Sequence, residues 1–164
     1  LAAKYENVEI VKLILQKNPY INVQNKYGET PLHRAMQYEN IEIIKLMLDN
    51  NQDINIKNND GYTPLYMAIF YKNIKIIKLV LNNNPDINIQ DNDGNTLLHL
   101  AIKETNIEII ELILDNNPDV NIKNNRGDTI FHIAIDNNDT EIIKLLLKCG
   151  KNINITIKNY EPTF

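Results

Sequence analysis

Residues 25–57 read NKYGETPLHRAMQYENIEIIKLMLDNNQDINIK, and the same pattern of residues recurs before and after this stretch. The glycine of the pattern returns at intervals of 33 residues, at Gly28, Gly61, Gly94 and Gly127. A threonine stands two residues after each of these glycines, and an alanine stands seven residues after it. A fixed period of this length is typical of a solenoid, in which each unit buries its apolar face only by stacking on its neighbours.

Each unit is predicted to contain two short helices. The threonine in front of Pro31 can cap a helix whose first turn tolerates proline, because the N–H groups of that turn have no partner within the helix. Apolar residues then recur at helical spacing in 32–36 and again in 41–48. One repeat position holds small residues that suit a close contact between helices and are expected in the core, namely Ala35, Ala68, Ala101 and Ala134.

The segment between two units is predicted to be extended and then to turn sharply. Residues 53–61 alternate isoleucine with polar residues and end in a cluster of asparagine, aspartate and glycine. Alternation of this kind is typical of extended chain, and the cluster is typical of a tight turn.

Two motifs carry a resemblance to a known family. Residues 28–35, Gly-Glu-Thr-Pro-Leu-His-Arg-Ala, match the motif G-x-T-P-L-H-x-A, and Asp53-Ile54-Asn55 matches a closing D-V-N. On these residues, and on their equivalents in later units, nearly the whole chain resembles the ankyrin repeat family. The resemblance implies an all-α fold, a solenoid of stacked helix-turn-helix units joined by β-hairpin or turn loops. In that family the segment between units is a projecting hairpin.

The repeat register divides the chain of 164 residues into units of one elongated domain, 1–164. The predicted units are 1–24 (partial), 25–57, 58–90, 91–123, 124–156 and 157–164, the last being the start of a truncated unit. Because the first and last units are incomplete in this register, we expect the sequence to be a fragment of a longer array.

Two positions depart from the family's usual glycines. After the first helix the chain has residues for which a left-handed backbone is harder to adopt, such as Glu39, Lys72, Thr105 and Asn138. After the second helix it has asparagine, as at Asn84 and Asn117. Asparagine tolerates left-handed geometry better than most residues, so it is a plausible substitute there.

Composition and charge narrow the class of partner. The formal net charge of −4 argues mildly against a nucleic-acid backbone or an anionic membrane surface, which would attract clustered Lys and Arg. Cys149 is the one cysteine, so no internal disulfide can form, and a reducing, intracellular and cytoplasmic location is expected. No apolar run approaches the ~20 residues needed to span a bilayer, so we predict no direct membrane insertion by this stretch. We expect a monomer.

The sequence predicts no catalytic, cofactor-binding or metal-binding residues, and hence no enzyme. His33, His99 and His132 share one repeat position, with Tyr66 taking it in unit 58–90. Ligands must converge within ~2 Å of one ion, and a single position on stacked units does not supply that. The resemblance implies instead that this histidine and its neighbouring threonine form structural hydrogen bonds between units. Asp91 and Asp93 are attributed to turn chemistry because a calcium loop's ligand order is absent.

The resemblance places partner contacts at the hairpin tips and on the exposed face of the first helix. The predicted tip residues are Lys26, Tyr27, Glu29, Asn59, Asp60, Tyr62, Asp93, Asn95, Arg126 and Asp128. The predicted first-helix residues are Tyr5, Gln37, Tyr38, Phe70, Tyr71, Lys103 and Glu104. Aromatic residues thus crowd the N-terminal half of the expected concave face, and polar and acidic residues the C-terminal half.

Tyr5, Tyr38 and Tyr71 occupy one helix position in three successive units, and we call them the tyrosine ladder. Tyrosine is enriched at binding hot spots because it offers a large amphipathic surface with little rotamer entropy to lose. The alternative is that the ladder only packs along the neighbouring unit with its hydroxyls in water.

The leading functional hypothesis is a non-catalytic scaffold that binds a partner protein or peptide. The alternative is the regulatory or substrate-docking arm of a larger enzyme or membrane protein. A third hypothesis, implied by the resemblance, is hydroxylation of the asparagine of the D-V-N motif, which here corresponds to Asn22, Asn55, Asn88, Asn121 and Asn154.

Overall fold

The computed structural model describes residues 7–17, 20–50 and 52–148. Within these ranges the regular structure is helical and no strand occurs, which confirms the all-α prediction. The helices are α1 (Val8–Leu15), α2 (Pro31–Gln37), α3 (Ile41–Asp49), α4 (Pro64–Phe70), α5 (Ile74–Leu81), α6 (Leu97–Lys103), α7 (Ile107–Leu114), α8 (Ile130–Asp136) and α9 (Thr140–Lys148). Tyr5, Cys149, Asn154 and unit 157–164 lie outside the described residues.

The helices begin where the sequence supplies a capping side chain. Thr63, in extended conformation, accepts the N–H of Tyr66 at 3.2 Å and stands in front of Pro64, the first residue of α4. The helices α3, α5 and α7 begin after an asparagine, and Asn40 Oδ1 accepts the N–H of Ile43 at 3.0 Å. In α9 Asp139 takes this place and accepts the N–H of Ile142 at 3.0 Å. Such caps satisfy N–H groups that the helix itself leaves unpaired. The many asparagines of this chain therefore cap helices as well as form turns.

The two helices of each unit pack on each other and on the adjoining units. The first helices contact in series, α2 with α4, α4 with α6 and α6 with α8. Each also contacts the second helix that follows it, from the α2 and α3 pair to the α8 and α9 pair. The repeating alanines, predicted to lie in the core, are all buried: Ala35, Ala68, Ala101 and Ala134. One apolar core therefore extends through the described units.

The described segments between units are turns without strands, so the expected projecting hairpin takes the form of a tight turn. In unit 58–90, the side chain of Asn58 accepts the N–H groups of Asp60 and Tyr62 at 3.0 and 2.9 Å. Gly61 follows with φ +83°, and a Cβ there would lie 2.5 Å from the backbone nitrogen of Asn92 in the next unit. Glycine is required at this turn for both its backbone angle and the close approach of its neighbour.

The turn tips of successive units are joined by a series of asparagine side chains. Asn59, Asn92 and Asn125 each donate an amide N–H to the backbone carbonyl of the tip one unit earlier, at 3.1, 2.7 and 3.0 Å. Because each bond joins equivalent residues 33 positions apart, the tips are held in register along one side of the array.

The left-handed backbone after each first helix persists without glycine. Glu39, Lys72 and Asn138 have φ of 53°, 57° and 53°, and Thr105 has φ of 51°. Threonine is the least suited of these, because a β-branched side chain crowds the left-handed region. After the second helix, Asn84 and Asn117 are also left-handed (φ 51° and 57°), so asparagine does replace the family's glycine there.

Candidate functional site

The predicted contact residues lie at the surface of the array. Except for Tyr5, which is not described, all of them are exposed or half-buried in the described structure. Phe70 and Tyr27 are the most exposed of the aromatic ones, at 60 % and 58 %.

Six of these residues line one groove, which we call the Tyr62 groove. It has a volume of about 350 Å³ and runs between the turn tips of units 58–90, 91–123 and 124–156 and the helices α4, α6 and α8. The predicted residues that line it are Tyr62, Asp93, Asn95, Lys103, Arg126 and Asp128. Its other lining residues are Tyr66, Asp91, His99, Leu100, Asn124, Ile133, Asp136 and Asn137.

The floor of the Tyr62 groove holds two stacked tyrosines and a buried carboxylate. The rings of Tyr62 and Tyr66 lie parallel, with 4.2 Å between centroids and 6° between planes. The hydroxyl of Tyr66 donates to Asp91 Oδ2 at 3.1 Å. Asp91 Oδ1 accepts the backbone N–H groups of Asp93 and Asn95 at 3.0 and 2.8 Å. The aspartate therefore forms the turn, as expected, and also contacts the residue that replaces the repeat's histidine.

The negative charge of Asp91 influences both phenols. Burial raises the pKa of Tyr66 above its usual range, and the charge of Asp91 raises it further. The pKa of Tyr62 is raised by the same two causes in the same order. Both tyrosines are consequently neutral near pH 7, and they present rings and hydroxyl groups to the groove.

The histidines of the other units serve structural hydrogen bonds, as the family resemblance implied. His33 Nδ1 accepts the backbone N–H of Thr30 at 3.1 Å, and its Nε2 lies 2.8 Å from the carbonyl oxygen of Tyr62. His99 repeats this arrangement with Thr96 N–H at 3.2 Å and, through Nε2, the carbonyl oxygen of Asp128 at 3.2 Å. Since Nδ1 accepts, Nε2 must carry the proton and donate it to the carbonyl.

These histidines are unsuited to metal binding or proton transfer. Burial lowers the pKa of His33 and of His99, and each keeps both ring nitrogens occupied by hydrogen bonds. No group of three or more His, Cys, Asp or Glu side chains that could hold a metal ion occurs in ranges 7–17, 20–50 and 52–148.

The other predicted aromatic residues of the N-terminal half are not among the residues that line the Tyr62 groove. Tyr38 lies beneath the guanidinium of Arg34, 5.1 Å from ring centroid to Cζ, and its hydroxyl accepts from Nη2 at 2.6 Å. Phe70 and Tyr71 meet edge to face, with 5.5 Å between centroids. Tyr62 lies among the aspartates of the groove, and its nearness to the other aromatics stays a prediction.

The tyrosine-ladder position makes contacts within the array. In later units the residue there reaches back one unit, because Glu104 pairs with Lys72 at 3.0 Å and Asn137 donates to the carbonyl of Ile102 at 3.3 Å. Tyr38, by contrast, contacts Arg34 of its own unit. For the tyrosine ladder itself, both the packing alternative and the binding role stay predictions.

Sequence reasoning missed Tyr66 and Asp91 as groove residues, although a signal was present. Tyr66 stands where other units have histidine, and Asp91 stands where they have an asparagine, at positions 25, 58 and 124. The two departures lie 25 residues apart in sequence, and only the stacking of units brings them into contact.

Comparison with known proteins agrees with this architecture. The family model for ankyrin repeats, which comprises three copies of the repeat, matches residues 1–91 and 78–158. No curated protein sequence matches the chain. In the part of the chain that the structure describes, every helix is too short or too polar to cross a membrane.

Proposed function

Because the chain belongs to the ankyrin repeat family, whose repeats are generally protein–protein interaction modules, we propose that it binds a partner protein or peptide. The contact surface consists of the turn tips and the exposed face of the first helices. The array acts without catalysis and holds its partner on a preorganised surface.

The observation that carries this proposal is the composition of the Tyr62 groove. Tyr62, Asn95 and Asp128 occupy one repeat position in three successive units, and all three line the groove. Equivalent positions of stacked units thus form a continuous surface, which is how repeat arrays bind extended partners. The asparagine bonds between tips hold this surface in register before any partner arrives, and such preorganisation reduces the entropic cost of binding.

Site-specific photo-crosslinking tests the location of the surface. A photoreactive amino acid replaces Asn95, which lines the groove, or Lys75, which is exposed on the second helix α5. Each protein is irradiated in lysate of the source cells, and crosslinked species are identified by mass spectrometry. We expect a discrete protein to crosslink to position 95, and we expect that this protein does not crosslink to position 75.

Capture with surface variants separates the two halves of the array. Native protein, a Tyr38→Ala/Tyr71→Ala variant, an Asn95→Ala/Asp128→Ala variant and the matched Lys75→Ala control are compared for the crosslinked partner. If only Asn95→Ala/Asp128→Ala loses binding of the partner, recognition takes place in the groove. If only Tyr38→Ala/Tyr71→Ala loses it, recognition takes place at the tyrosine ladder. Partner binding that survives both variants and crosslinks from position 75 would refute the proposed face.

A further inference from the structure

The contact between units 58–90 and 91–123 departs from the repeat at two residues that touch. Tyr66 replaces a histidine and Asp91 replaces an asparagine, and the Tyr66 hydroxyl donates to the Asp91 carboxylate at 3.1 Å. The other units show that histidine and asparagine suffice for stacking at these positions. Paired departures from a pattern that already stabilises the fold are expected where a protein carries function.

Asp91 carries a buried charge that no cation of the described chain neutralises. It is 8 % exposed, and its oxygens accept from neutral groups, namely two backbone N–H groups, the Tyr66 hydroxyl and, at 3.5 Å, the amide of Asn95. None of the ion pairs formed within the described ranges includes Asp91. A buried carboxylate gains most from a cation that also donates hydrogen bonds.

The Tyr62 groove as a whole is acidic and aromatic. Its lining contains four aspartates but only two cationic side chains, Lys103 and Arg126, so acidic residues are in excess. The aspartates are Asp91, Asp93, Asp128 and Asp136. The half-buried ring of Tyr62, stacked on the buried ring of Tyr66, contributes π surface among these charges. Its volume of about 350 Å³ lies at the lower end of the ~300–1,000 Å³ of ligand pockets, which suits side chains of an extended segment and is too small for a helix.

Resting on the proposed function, we infer that the Tyr62 groove binds an arginine-bearing extended segment of the partner protein. The guanidinium of arginine is planar, so it stacks on the face of an aromatic ring and at the same time donates in a fork to carboxylates. The groove supplies both elements, the ring of Tyr62 and the exposed carboxylate of Asp93, and the buried charge of Asp91 adds to the attraction for a cation. Lysine offers a point charge without the planar stacking surface.

Selection from a phage-displayed library of random linear peptides tests this inference before the partner is identified. The native protein is the bait, and recovered sequences are compared with the unselected library. We expect enrichment of arginine above lysine. A fluorescein-labelled copy of the most enriched peptide is then titrated by fluorescence anisotropy, together with versions in which arginine is replaced by lysine or by citrulline, its neutral isostere.

Matched variants assign the binding to the groove. Asp91→Asn restores the asparagine of the other units, and Asp93→Asn removes an exposed tip charge; each is expected to weaken peptide binding about threefold to tenfold. Asp49→Asn is the control, because it removes an exposed carboxylate of α3 that lies outside the groove lining. Lys103→Gln removes a cation from the groove and is expected to tighten binding about threefold.

Removal of the tyrosine ring tests the stacking part of the inference. Tyr62→Leu is expected to weaken the arginine peptide about tenfold and the lysine version less. Circular dichroism and the urea midpoint confirm that each variant remains folded. If Tyr62→Leu lowers the midpoint, Tyr62→Phe, which keeps the ring, must restore both folding and arginine binding.

The outcomes separate this inference from the proposed function. Enriched peptides without an excess of arginine overturn the inference. So does peptide binding that Asp91→Asn and Asp93→Asn change no more than the control Asp49→Asn does. In either case the array remains a protein-binding module. Equal affinity for the lysine version overturns the assignment of arginine. The proposed function itself fails only if the cellular partner does not crosslink from position 95 and its capture survives the surface variants.

Discussion

The contact between units 91–123 and 124–156 and the contact between units 58–90 and 91–123 use one repeat position in different ways. In the first, His99 Nε2 donates to a neutral backbone carbonyl, that of Asp128. In the second, Tyr66 donates to the carboxylate of Asp91, which lies at the floor of a groove. We call them the histidine contact and the tyrosine contact. The same repeat position can therefore stabilise only the stacking of two units, or can stabilise their stacking and also contribute to a charged surface.

Removal of the histidine should have the largest effect on stability. His99→Ala leaves the buried Thr96 N–H without its imidazole acceptor and opens a cavity. It also removes one donor to the Asp128 carbonyl, which keeps the N–H of Asn124. We therefore expect the free energy of unfolding to fall by about 2–4 kcal/mol. Urea denaturation followed by circular dichroism measures it. A loss below about 1 kcal/mol would mean that water replaces the imidazole and that the histidine contact contributes little.

Acid should weaken the histidine contact and spare the tyrosine contact. Burial lowers the pKa of His33 and of His99 in the native state. The hydrogen bond of each ring to a backbone carbonyl opposes this effect, and nearby carboxylates oppose it less, but burial has the largest influence. The unfolded chain therefore binds protons more readily at these residues, and stability that is present above the ordinary histidine pKa of about 6.5 is lost as the pH falls through it.

The urea midpoint, measured between about pH 7.5 and 5.5, tests whether stability decreases as the pH falls. We expect it to decrease steadily with acid. A His33→Gln/His99→Gln variant, although less stable at neutral pH, should lose most of the slope in this window. An unchanged slope would show that other groups cause the acid sensitivity.

Loss of the Tyr66 hydroxyl should cost less than loss of His99. Tyr66→Phe removes one hydrogen bond to Asp91 but keeps the stack on Tyr62, so about 1 kcal/mol of stability is expected to disappear. The comparison of its urea midpoint with that of His99→Ala ranks the two contacts. If Tyr66→Phe lowers the free energy of unfolding as much as His99→Ala does, the tyrosine contact contributes as much to the stacking of units as the histidine contact.

Much of the fold could be predicted from the sequence because its determinants are local or periodic. Thr63 caps α4 through a residue three positions away, and Ala68 recurs with the repeat. The contacts that form the Tyr62 groove could not be predicted from the sequence in the same way. The stack of Tyr62 on Tyr66 depends on the orientation of two rings, and the contact of Tyr66 with Asp91 depends on how neighbouring units meet.

Left-handed geometry at Thr105 also lay beyond the sequence rules, which disfavour a β-branched residue there. The structure keeps φ at 51° because α6 and α7 must still fold back on each other to share the core. Tertiary packing of the unit therefore overrides the local preference of a single residue.

Asp91→Asn should have the smallest effect on stability and so gives the sharpest comparison of the two contacts. In the unit before and the unit after, an asparagine forms the same turn, since Asn58 accepts the N–H of Tyr62 at 2.9 Å and Asn124 that of Asp128 at 2.9 Å. The amide also relieves the burial of a charge that no described cation neutralises. We expect a change within about 0.5 kcal/mol, in either direction.

A urea midpoint equal to that of the native protein, together with weaker binding of arginine peptides, would mean that the carboxylate at position 91 serves recognition and is dispensable for stacking. A fall of about 2 kcal/mol would instead mean that Tyr66 requires an anionic acceptor. In that case the two departures from the repeat compensate each other structurally, because a tyrosine in place of histidine needs an aspartate in place of asparagine. The result of this one substitution therefore decides whether Tyr66 and Asp91 are paired for binding or for packing.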